Sequence, residues 1–324
     1  MTDKLIALDW GTSSLRAFLM DASGAVIETR ARSDGIQALR NRGEAGFRET
    51  FSALCGDWIG QHGIRKAVAC GMVGSAQGWQ EAPYVACPAD LGELAGNAVT
   101  IAAPHGVRLT IAPGLSFEAA DGIPDVMRGE EIQIAGALAQ TTAGTTLAIL
   151  PGTHSKWVEV DGARILRFAT YMTGELFAVL SAQSILGRLM EPASPDAAQS
   201  AEAFRKGLEI ARDSRPGDLP HQLFAVRTLG LFKRMAPECL ADCLSGILIG
   251  AEIVSARARW QTLLRPGARQ PLLIGEGRLC ARYAEALQVL AGVTPATLAN
   301  TAPAGLFQLA CAAGLIDKIA SVRK

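Results

Sequence analysis

A carboxylate and four small residues stand between two apolar segments near the start of the chain. Residues 5–8 form a short apolar run that Asp9 follows, and residues 15–20 are apolar again. The residues between them include Gly11, Thr12, Ser13 and Ser14. This pattern predicts a hairpin whose turn N–H groups form a concave anion site, because glycine lets a ligand approach the backbone closely. A carboxylate beside such a site suggests Mg²⁺ and a nucleotide phosphate. An ordinary Asp-Gly hairpin is the alternative.

The same order of elements recurs near the middle of the chain. Residues 145–150 predict a strand, and a glycine turn follows, which reads Pro151-Gly152-Thr153-His154-Ser155-Lys156. Two further strands are predicted at 157–160 and 164–172, as they are at 15–20 and 25–31 in the first series. Although the two series share little identity, their common order predicts an internal duplication. We expect two domains, residues 1–143 and 144–324, with the last helix as a candidate to cross back onto the first.

Helices and further strands fill the remainder of each predicted domain. In the first, the pattern predicts a helix at 44–61, strands at 67–71, 99–103 and 107–111, a loop at 113–124 and a helix at 126–141. In the second, it predicts helices at 174–190, 196–212, 219–235, 239–264, 279–290 and 303–320, with strands at 271–274 and 297–299. Glycine-rich loops follow two of these strands, at residues 71–79 and at Gly275-Glu276-Gly277. Such loops at strand ends are typical ligand sites.

The composition indicates a globular protein without an electrostatic attraction to polyanions. Of 324 residues, 49% are hydrophobic, 19% are charged, and 31 basic residues balance 31 acidic ones. We therefore expect neither a nucleic-acid nor a membrane partner. The seven cysteines show no paired spacing, which favours reduced structural thiols. We expect no signal peptide and no apolar run long enough to span a bilayer, and hence a cytoplasmic protein.

Three glycine turns on a duplicated scaffold form a pattern that resembles the superfamily of acetate and sugar kinases, heat-shock chaperone ATPases and actin. Within it, the chain resembles the 2-dehydro-3-deoxygalactonokinase family across its whole length. The blocks that carry this resemblance are Asp9-Trp10-Gly11-Thr12-Ser13-Ser14-Leu15-Arg16, Gly71-Met72-Val73-Gly74-Ser75 with Gly78-Trp79, Glu81-Ala82-Pro83-Tyr84 with Cys87-Pro88, Pro124-Asp125-Val126-Met127-Arg128-Gly129-Glu130-Glu131, Pro151-Gly152-Thr153-His154-Ser155-Lys156-Trp157, Thr170-Tyr171-Met172-Thr173-Gly174-Glu175 and Gly275-Glu276-Gly277.

The resemblance implies an α/β fold of two duplicated ribonuclease-H-like, or actin-like ATPase, domains. Each would have a mixed five-stranded sheet flanked by helices, with a cleft between the domains. It implies ATP and Mg²⁺ as cofactors, with Asp9 holding the metal ion through water. The residues implied in ATP and phosphate binding are Asp9, Gly11, Thr12, Ser13, Ser14, Gly152, Thr153, Lys156, Gly275, Glu276 and Gly277.

The catalytic base is expected among the carboxylates at the start of the helix after Gly129. In the related glycerol and xylulose kinases, a Gly-Asp-Gln block at this place supplies the base, whereas this chain has Glu130. Adjacent helical residues point about 100° apart, so only one of Glu130 and Glu131 can face a ligand. Glu130 is the favoured base, and Asp125 and Glu131 are the alternatives. Acidic residues in a first turn also complement the helix dipole and need no catalytic role.

The resemblance also implies contacts to a sugar acid. Candidates in the first domain are Arg16, which otherwise braces the turn, together with Gly74, Ser75 and Gln77. Candidates in the second domain are Thr170, Tyr171 and Thr173. Lys156 either neutralises phosphate charge or is an ordinary strand residue.

The activity implied is phosphorylation of the C6 hydroxyl of 2-dehydro-3-deoxy-D-galactonate by ATP. Two alternatives stay open: a kinase for another sugar or sugar acid, such as 2-keto-3-deoxygluconate, and a non-catalytic ATP-driven switch. The expected partner is a small sugar acid, and the sequence leaves open whether the protein forms a homodimer.

Overall fold

The computed structural model describes residues 4–140, 144–192, 195–215 and 217–316. Its first half contains strands β1 (Leu5–Trp10), β2 (Leu15–Met20), β3 (Val26–Arg32), β4 (Lys66–Cys70), β5 (Tyr84–Ala86), β6 (Val99–Ala103), β7 (Val107–Ile111), β8 (Gly114–Glu118) and β9 (Pro124–Met127), and helices α1 (Ile36–Leu39), α2 (Gly43–His62), α3 (Leu91–Gly96) and α4 (Glu130–Leu138). Its second half contains strands β10 (Thr145–Leu150), β11 (Ser155–Asp161), β12 (Arg164–Tyr171), β13 (Leu272–Ile274) and β14 (Ala296–Leu298), and helices α5 (Thr173–Gln183), α6 (Ala197–Arg212), α7 (Leu219–Leu231), α8 (Leu240–Arg259), α9 (Gly277–Ala291) and α10 (Ala302–Ala312).

The first sheet has the strand order β3-β2-β1-β4-β7-β6. Strand β1 is antiparallel to β2 and parallel to β4, and β4 is parallel to β7. The sheet has six strands instead of the predicted five, because β6 turns back through Pro104–Gly106 and pairs antiparallel with β7. Helix α2 buries an apolar face against this sheet, with Phe47 packed between Trp10 and Trp79.

A smaller sheet replaces the loop predicted at 113–124 and the first turn of the helix predicted at 126–141. Strand β8 lies between β5 and β9, with Leu115 opposite Met127. Leu115 and Met127 are both buried, so the gain in buried apolar area favours this ladder over a loop. Helix α4 then begins only at Glu130, because Gly129 has a φ of +110° that a helix cannot continue through. Residue 141 of the predicted helix lies outside the described residues.

The second sheet has the order β12-β11-β10-β13-β14. Strands β10, β13 and β14 run parallel to one another. The two large sheets begin with the same arrangement: β3, β2 and β1 are neighbours in the first sheet, and β12, β11 and β10 are neighbours in the second. In each sheet, the next two strands run parallel to β1 or to β10. This shared arrangement is the one that the predicted duplication requires. Trp157 stacks on Trp260 in the core of this part of the chain.

One long apolar helix contradicts the expectation that no segment is long and apolar enough to span a bilayer. Residues Pro237–Arg259 are long and apolar enough to cross a membrane by length and composition. However, 72% of this window is buried inside the protein. Its helix α8 packs closely on α6, where a Cβ atom at Gly207 or Gly246 would overlap the backbone of the facing helix. We therefore assign α8 as a core helix.

Contacts divide the chain into two units. The described residues of Met1–Thr145, Val158–Phe168 and Asn300–Lys324 form the first unit, and those of Thr146–Trp157 and Ala169–Ala299 form the second. Helix α10 thus belongs to the first unit, where it packs on α4 and α3. Thr301 donates its hydroxyl to the carbonyl of Gln133 at 2.6 Å. This packing fixes helix α4, whose first residue is Glu130.

The close contact between α10 and α4 requires a residue without a side chain at position 305. A Cβ atom at Gly305 would overlap the carbonyl oxygen of Ile132. We expect Gly305→Ala to lower the free energy of unfolding by about 1–3 kcal/mol, as overpacked core positions do. The matched control is Gly60→Ala in α2, where a Cβ atom would meet nothing within 4 Å. Helix propensity predicts that this control raises the stability by up to about 1 kcal/mol. Equal urea-denaturation midpoints for the two variants would contradict the packing.

Candidate active site

Asp9 lies at the end of β1, directly opposite Arg16 on β2. The Asp9 side chain is 19% exposed, and Arg16 Nη1 lies 4.0 Å from its Oδ2 atom. Burial raises the pKa of Asp9, and the positive charge of Arg16 opposes this shift with a smaller effect. Since a carboxylate in such a place is destabilised when ionised, a bound cation would stabilise it.

The turn after β1 presents three hydroxyl residues to solvent. Thr12, Ser13 and Ser14 are exposed, and the N–H of Gly11 donates to the carbonyl of Ser14 at 2.9 Å. The start of α1 supports the turn from behind, because the N–H groups of Ile36 and Gln37 donate to the carbonyls of Gly11 and Thr12. The turn is therefore held by its backbone, which leaves its hydroxyl groups available to a ligand.

The ends of β1 and β4 and the start of α4 meet around Cys70. Asp9 is the β-sheet partner of Cys70, and a Cβ atom at Gly129 would lie 3.1 Å from the Cα of Gly71. The pKa of the Cys70 thiol is raised well above its ordinary value, first by burial and then by the charges of Asp9, Glu131 and Glu130. Asp9, predicted to hold the metal, and two of the candidate bases, Glu130 and Glu131, thus belong to one group in the first unit.

Glu130 and Glu131 differ in what their carboxylates can reach. Glu131 is fully buried, and both of its oxygens accept from the N–H of Gly129, at 2.9 and 2.7 Å. Glu130 is half-buried, and its Oε2 accepts from the N–H of Arg128 at 3.0 Å. Glu131 therefore closes the start of its own helix, whereas Glu130 keeps part of its surface open.

Asp125, the remaining candidate base, lies on β9 of the smaller sheet. Its Oδ1 accepts from the N–H of Val126 at 2.8 Å. Asp125 is not among the carboxylates that raise the pKa of Cys70. The structure thus groups Glu130, Glu131 and Asp9 around Cys70 and gives Asp125 a different setting.

The titration of Glu131 should make stability depend on pH. Burial, with the Glu130 charge adding to it, raises the pKa of Glu131 from an ordinary 4.5 to about 8. The folded state therefore holds a proton that the unfolded state has lost, so stability falls as the pH rises from about 4.5 to 8. Glu131→Gln removes this titration. The melting temperature of this variant, relative to that of the wild type, should therefore rise as the pH increases over this interval.

Calorimetry at pH 5, 6.5 and 8.5 tests this expectation. Asp57→Asn is a suitable control, because hydrogen bonds from Arg30 lower the pKa of Asp57 to about 2. The stabilising effect of Asp57 is present above its ordinary pKa of 3.8 and is lost only as the pH falls towards 2. Its variant should therefore differ from the wild type by a constant amount between pH 5 and 8.5. The same constant difference for Glu131→Gln would exclude the proposed titration.

The predicted acceptor loop follows β4 in the first unit. Gly74 is buried, Ser75 donates its hydroxyl to the carbonyl of Met72 at 2.8 Å, and Gln77 is exposed. The guanidinium group of Arg128 lies beside this loop, because a Cβ atom at Gly74 would be 3.0 Å from Arg128 Nη1. Arg128 belongs to a block that carries the family resemblance, but it is not among the site residues predicted from the sequence.

The second unit contains a cavity of about 470 Å³. This volume lies within the range of small-molecule sites in proteins. Four residues predicted from the sequence line it: Gly152, Thr153, Thr173 and Glu276. Its other lining residues include Asp242, Ser245, Arg278, Arg282 and Tyr283, which the sequence pattern did not single out. Arg282 forms an ion pair with Asp242 across this lining.

The glycine turn between β10 and β11 forms one wall of this cavity. The N–H of Glu175 donates to the carbonyl of Thr153 at 3.0 Å, and His154 contacts the carboxylate of Glu175. The turn is shorter than predicted, since β11 already begins at Ser155. Lys156, predicted in the turn, lies buried in this strand. Ser155 belongs to the strand because its hydroxyl bonds that of Tyr283 in the core, at 2.9 Å.

The late glycine turn forms another wall. Gly275 has a φ of +155°, and its N–H donates to the carbonyl of Leu298 at 3.3 Å. Glu276 caps helix α9, because its carboxylate accepts from the N–H groups of Arg278 and Leu279, both at 2.9 Å. These hydrogen bonds lower the pKa of Glu276. A Cβ atom at Gly277 would meet nothing within 4 Å.

A buried carboxylate behind the cavity holds its wall in place. Glu252 of α8 accepts from Trp157 Nε1 at 2.6 Å, from the Tyr283 hydroxyl at 2.7 Å and from the Thr173 hydroxyl. Burial raises the pKa of Glu252, and these hydrogen bonds oppose the shift. The predicted acceptor contact Thr173 thus lines the cavity, and the hydroxyl of Tyr171 contacts Ser255 at 3.3 Å. Thr170 also lies in the second unit, as a half-buried residue of β12.

The strand orders and the cavity at glycine turns define an actin-like ATPase fold. The activator of a 2-hydroxyisocaproyl-CoA dehydratase from Clostridium difficile, solved with bound ADPNP, has this fold with a TM-score of 0.50. The two proteins are 12% identical, over 96% of this chain and 94% of the other, so the comparison shows the fold alone. A family model described as 2-keto-3-deoxy-galactonokinase matches residues 9–309. The chain belongs to this family.

Relatives that carry this kinase name align over most of the chain. A protein named probable 2-dehydro-3-deoxygalactonokinase from Rhizobium meliloti (strain 1021) is 37% identical over 87% of this chain and 88% of its own. The 2-dehydro-3-deoxygalactonokinase of Escherichia coli (strain K12) is 35% identical over 93% of this chain and 95% of its own. A crystal structure from Sinorhizobium meliloti that carries the same kinase name has a TM-score of 0.80 at 34% identity, over 95% of this chain and 98% of the other.

Proposed function

We propose that this protein transfers a phosphoryl group from ATP to the C6 hydroxyl of 2-dehydro-3-deoxy-D-galactonate. The observation that carries this proposal is family membership over residues 9–309, with two named relatives at 35–37% identity. The group of carboxylates at the start of α4 supports it, because an acceptor hydroxyl must lose a proton during transfer.

The second unit supplies the nucleotide site in this proposal. The Gly152-Thr153 turn would meet the phosphates, and the positively charged side chains of Arg278 and Arg282, which line the same cavity, favour an anionic ligand there. The Asp242–Arg282 ion pair lines the same cavity. Gly275 and Gly277 would keep the turn near the nucleoside free of side chains.

The donor set around Asp9 fits a Mg²⁺ ion that keeps most of its water. Among the described residues, no group of three or more His, Cys, Asp or Glu residues is arranged to hold a metal ion. A site with one carboxylate, water and substrate phosphate does not need such a group. Asp9 would hold the ion, and the exposed turn Gly11–Ser14 would contact phosphate. Bound there, Mg²⁺ would neutralise charge on the phosphate oxygens.

Glu130 is the proposed base. Its carboxylate is half-buried and close enough to Asp9 and Glu131 for all three to act on Cys70. Glu131 already uses both oxygens on Gly129, and Asp125 stands on another sheet. Transfer of the acceptor proton to Glu130 would leave the hydroxyl oxygen free to attack phosphorus as the bond to ADP breaks.

We propose that the acceptor lies against the loop after β4. Gly74, Ser75, Gln77 and Arg16 all belong to the first unit with Glu130. The acceptor contacts predicted in the second unit remain predictions; they are Thr170, Tyr171 and Thr173. Thr173 also lines the proposed nucleotide cavity, and its hydroxyl is already bonded to Glu252.

A coupled ADP assay on a panel of acceptors tests the function. We expect turnover with 2-dehydro-3-deoxygalactonate, and proton-coupled ³¹P NMR should place the phosphate on C6. Faster turnover with 2-keto-3-deoxygluconate or a neutral sugar would assign a different kinase. ADP release at the same rate without any acceptor would favour an ATP-driven switch. The kinase relatives support a cytoplasmic location in this proposal. The balanced charge of the chain supports the absence of nucleic-acid and membrane partners. Sedimentation would decide between a monomer and a homodimer.

A further inference from the structure

Arg128 is a buried arginine with unused hydrogen-bond donors. It connects β9 to α4 and is 8% exposed. Its Nη2 donates to the carbonyl of Ala82 at 2.8 Å. Its Nε and Nη1 atoms are buried and have no hydrogen-bond partner within the part of the chain that the structure describes. Buried polar groups are nearly always paired, so this side chain needs an explanation.

The surroundings of the guanidinium group belong to the proposed acceptor site. A Cβ atom at Gly74 would lie 3.0 Å from Nη1. The ring of Tyr84 covers the guanidinium with its centroid 4.3 Å from the Cζ atom. The backbone N–H of Arg128 donates to Glu130, the proposed base. The unused donors thus lie between the loop after β4 and the start of α4.

The neighbouring carboxylates do not satisfy these donors. Glu131 directs both oxygens to the N–H of Gly129. Glu130 accepts from the backbone of Arg128 and not from its Nε or Nη1 atoms. A buried guanidinium with unpaired N–H groups destabilises a folded protein, since it has lost its hydration without replacement. An arginine that destabilises the folded protein in this way is explained if its unpaired N–H groups bind an anionic ligand.

We propose that Arg128 binds the carboxylate of the sugar acid and thereby makes the enzyme select acids over neutral sugars. This inference rests on the proposed function. Arg16, the arginine predicted for substrate binding, is half-exposed and faces Asp9 instead. Tyr84 lies over the guanidinium and is 45% exposed, so a displacement of its side chain would open the guanidinium to the carboxylate.

A cycle of enzyme and substrate variants tests the assignment. The substrates are the sugar acid and its C1 primary amide, which lacks the negative charge. We expect Arg128→Met to lower kcat/KM for the acid by roughly 10²–10³-fold, mainly through KM, as loss of one partner of a buried charge pair does. The amide should lose less than about threefold, because it never paired with the charge. Arg65→Met is the matched control, since Arg65 also donates to a backbone carbonyl but lies elsewhere on the unit.

The outcomes separate this inference from the function on which it rests. If the wild type does not phosphorylate the acid, the proposed function fails. If the wild type accepts acid and amide equally, or if Arg128→Met loses both equally, Arg128 does not read the carboxylate. Arg128→Lys keeps the charge and should retain part of the preference for the acid. Failure of both Arg128 variants to fold, judged by melting, would assign a structural role and overturn the inference.

Discussion

Replacing Glu130 with glutamine should reduce kcat by roughly 10²–10⁴-fold, the usual effect of losing a general base. Glutamine has nearly the same shape, and its carbonyl oxygen can still accept from the N–H of Arg128, which now bonds Glu130 at 3.0 Å. The local backbone should therefore persist while the proton acceptor is lost. The KM values for ATP and for the sugar acid should change little, because the lost interaction acts mainly in the transition state.

Single-turnover measurements give the sharpest reading of this prediction. If product release limits kcat in the wild type, the loss in steady-state rate will understate the loss in the chemical step. Asp125→Asn and Glu131→Gln are the parallel variants, and each should retain at least about tenfold more chemical rate than Glu130→Gln. Near wild-type rates for both Glu130→Gln and Asp125→Asn would exclude Glu130 as the base. A larger loss at Glu131 would transfer the role to that residue.

Local patterns in the sequence predicted the elements that bring Asp9 and Glu130 together. An apolar run before Asp9 and a glycine turn after it are enough to predict β1, the turn and β2. The parallel neighbour β4 also ends in a glycine loop, so strand-end reasoning places the loop near Asp9. The structure adds the parallel pairing of Asp9 with Cys70, which sets the start of this loop beside Asp9.

The smaller sheet could not be predicted in the same way. Strand β8 pairs with β5, whose residues lie about thirty positions earlier in the sequence. Because the two strands are not joined by a short turn, the local sequence contains no signal for their pairing. The short strand β9 merges in sequence with the helical pattern that follows. Gly129 was the available signal, since a glycine at this point permits the positive φ that separates the two elements. The helix was therefore predicted four residues too early.

Glu252, Arg128 and Thr173 show which features of the site can be predicted from the sequence and which depend on the folded structure. Glu252 could have been found, because it is a carboxylate inside a long apolar helix and such a group needs buried partners. Arg128 could not, because its significance lies in being buried with unused donors, and burial and pairing emerge only from the folded chain. Thr173 was predicted as an acceptor contact from its motif, yet its hydroxyl bonds Glu252.

Asp9→Asn should abolish most of the activity and leave the fold as stable as before, or more stable. An amide is a poorer ligand for Mg²⁺ than a carboxylate, so we expect a loss in kcat of roughly 10²-fold or more and a higher Mg²⁺ requirement. The raised pKa of Asp9 means that the ionised carboxylate destabilises the folded protein, mainly through burial. The neutral amide removes that effect, so the melting temperature without ligands should not fall.

A surface aspartate with the opposite pKa shift completes the test. Hydrogen bonds from Arg30 lower the pKa of Asp57, so its ionised form stabilises the fold at neutral pH. Asp57→Asn should therefore lower the melting temperature and keep the kinetic constants, which reverses both expectations for Asp9→Asn. Titration of activity with Mg²⁺ and melting at pH 7 measure the two effects. If Asp9→Asn melts well below the wild type and retains its Mg²⁺ dependence, Asp9 is a structural turn residue and the metal site lies elsewhere.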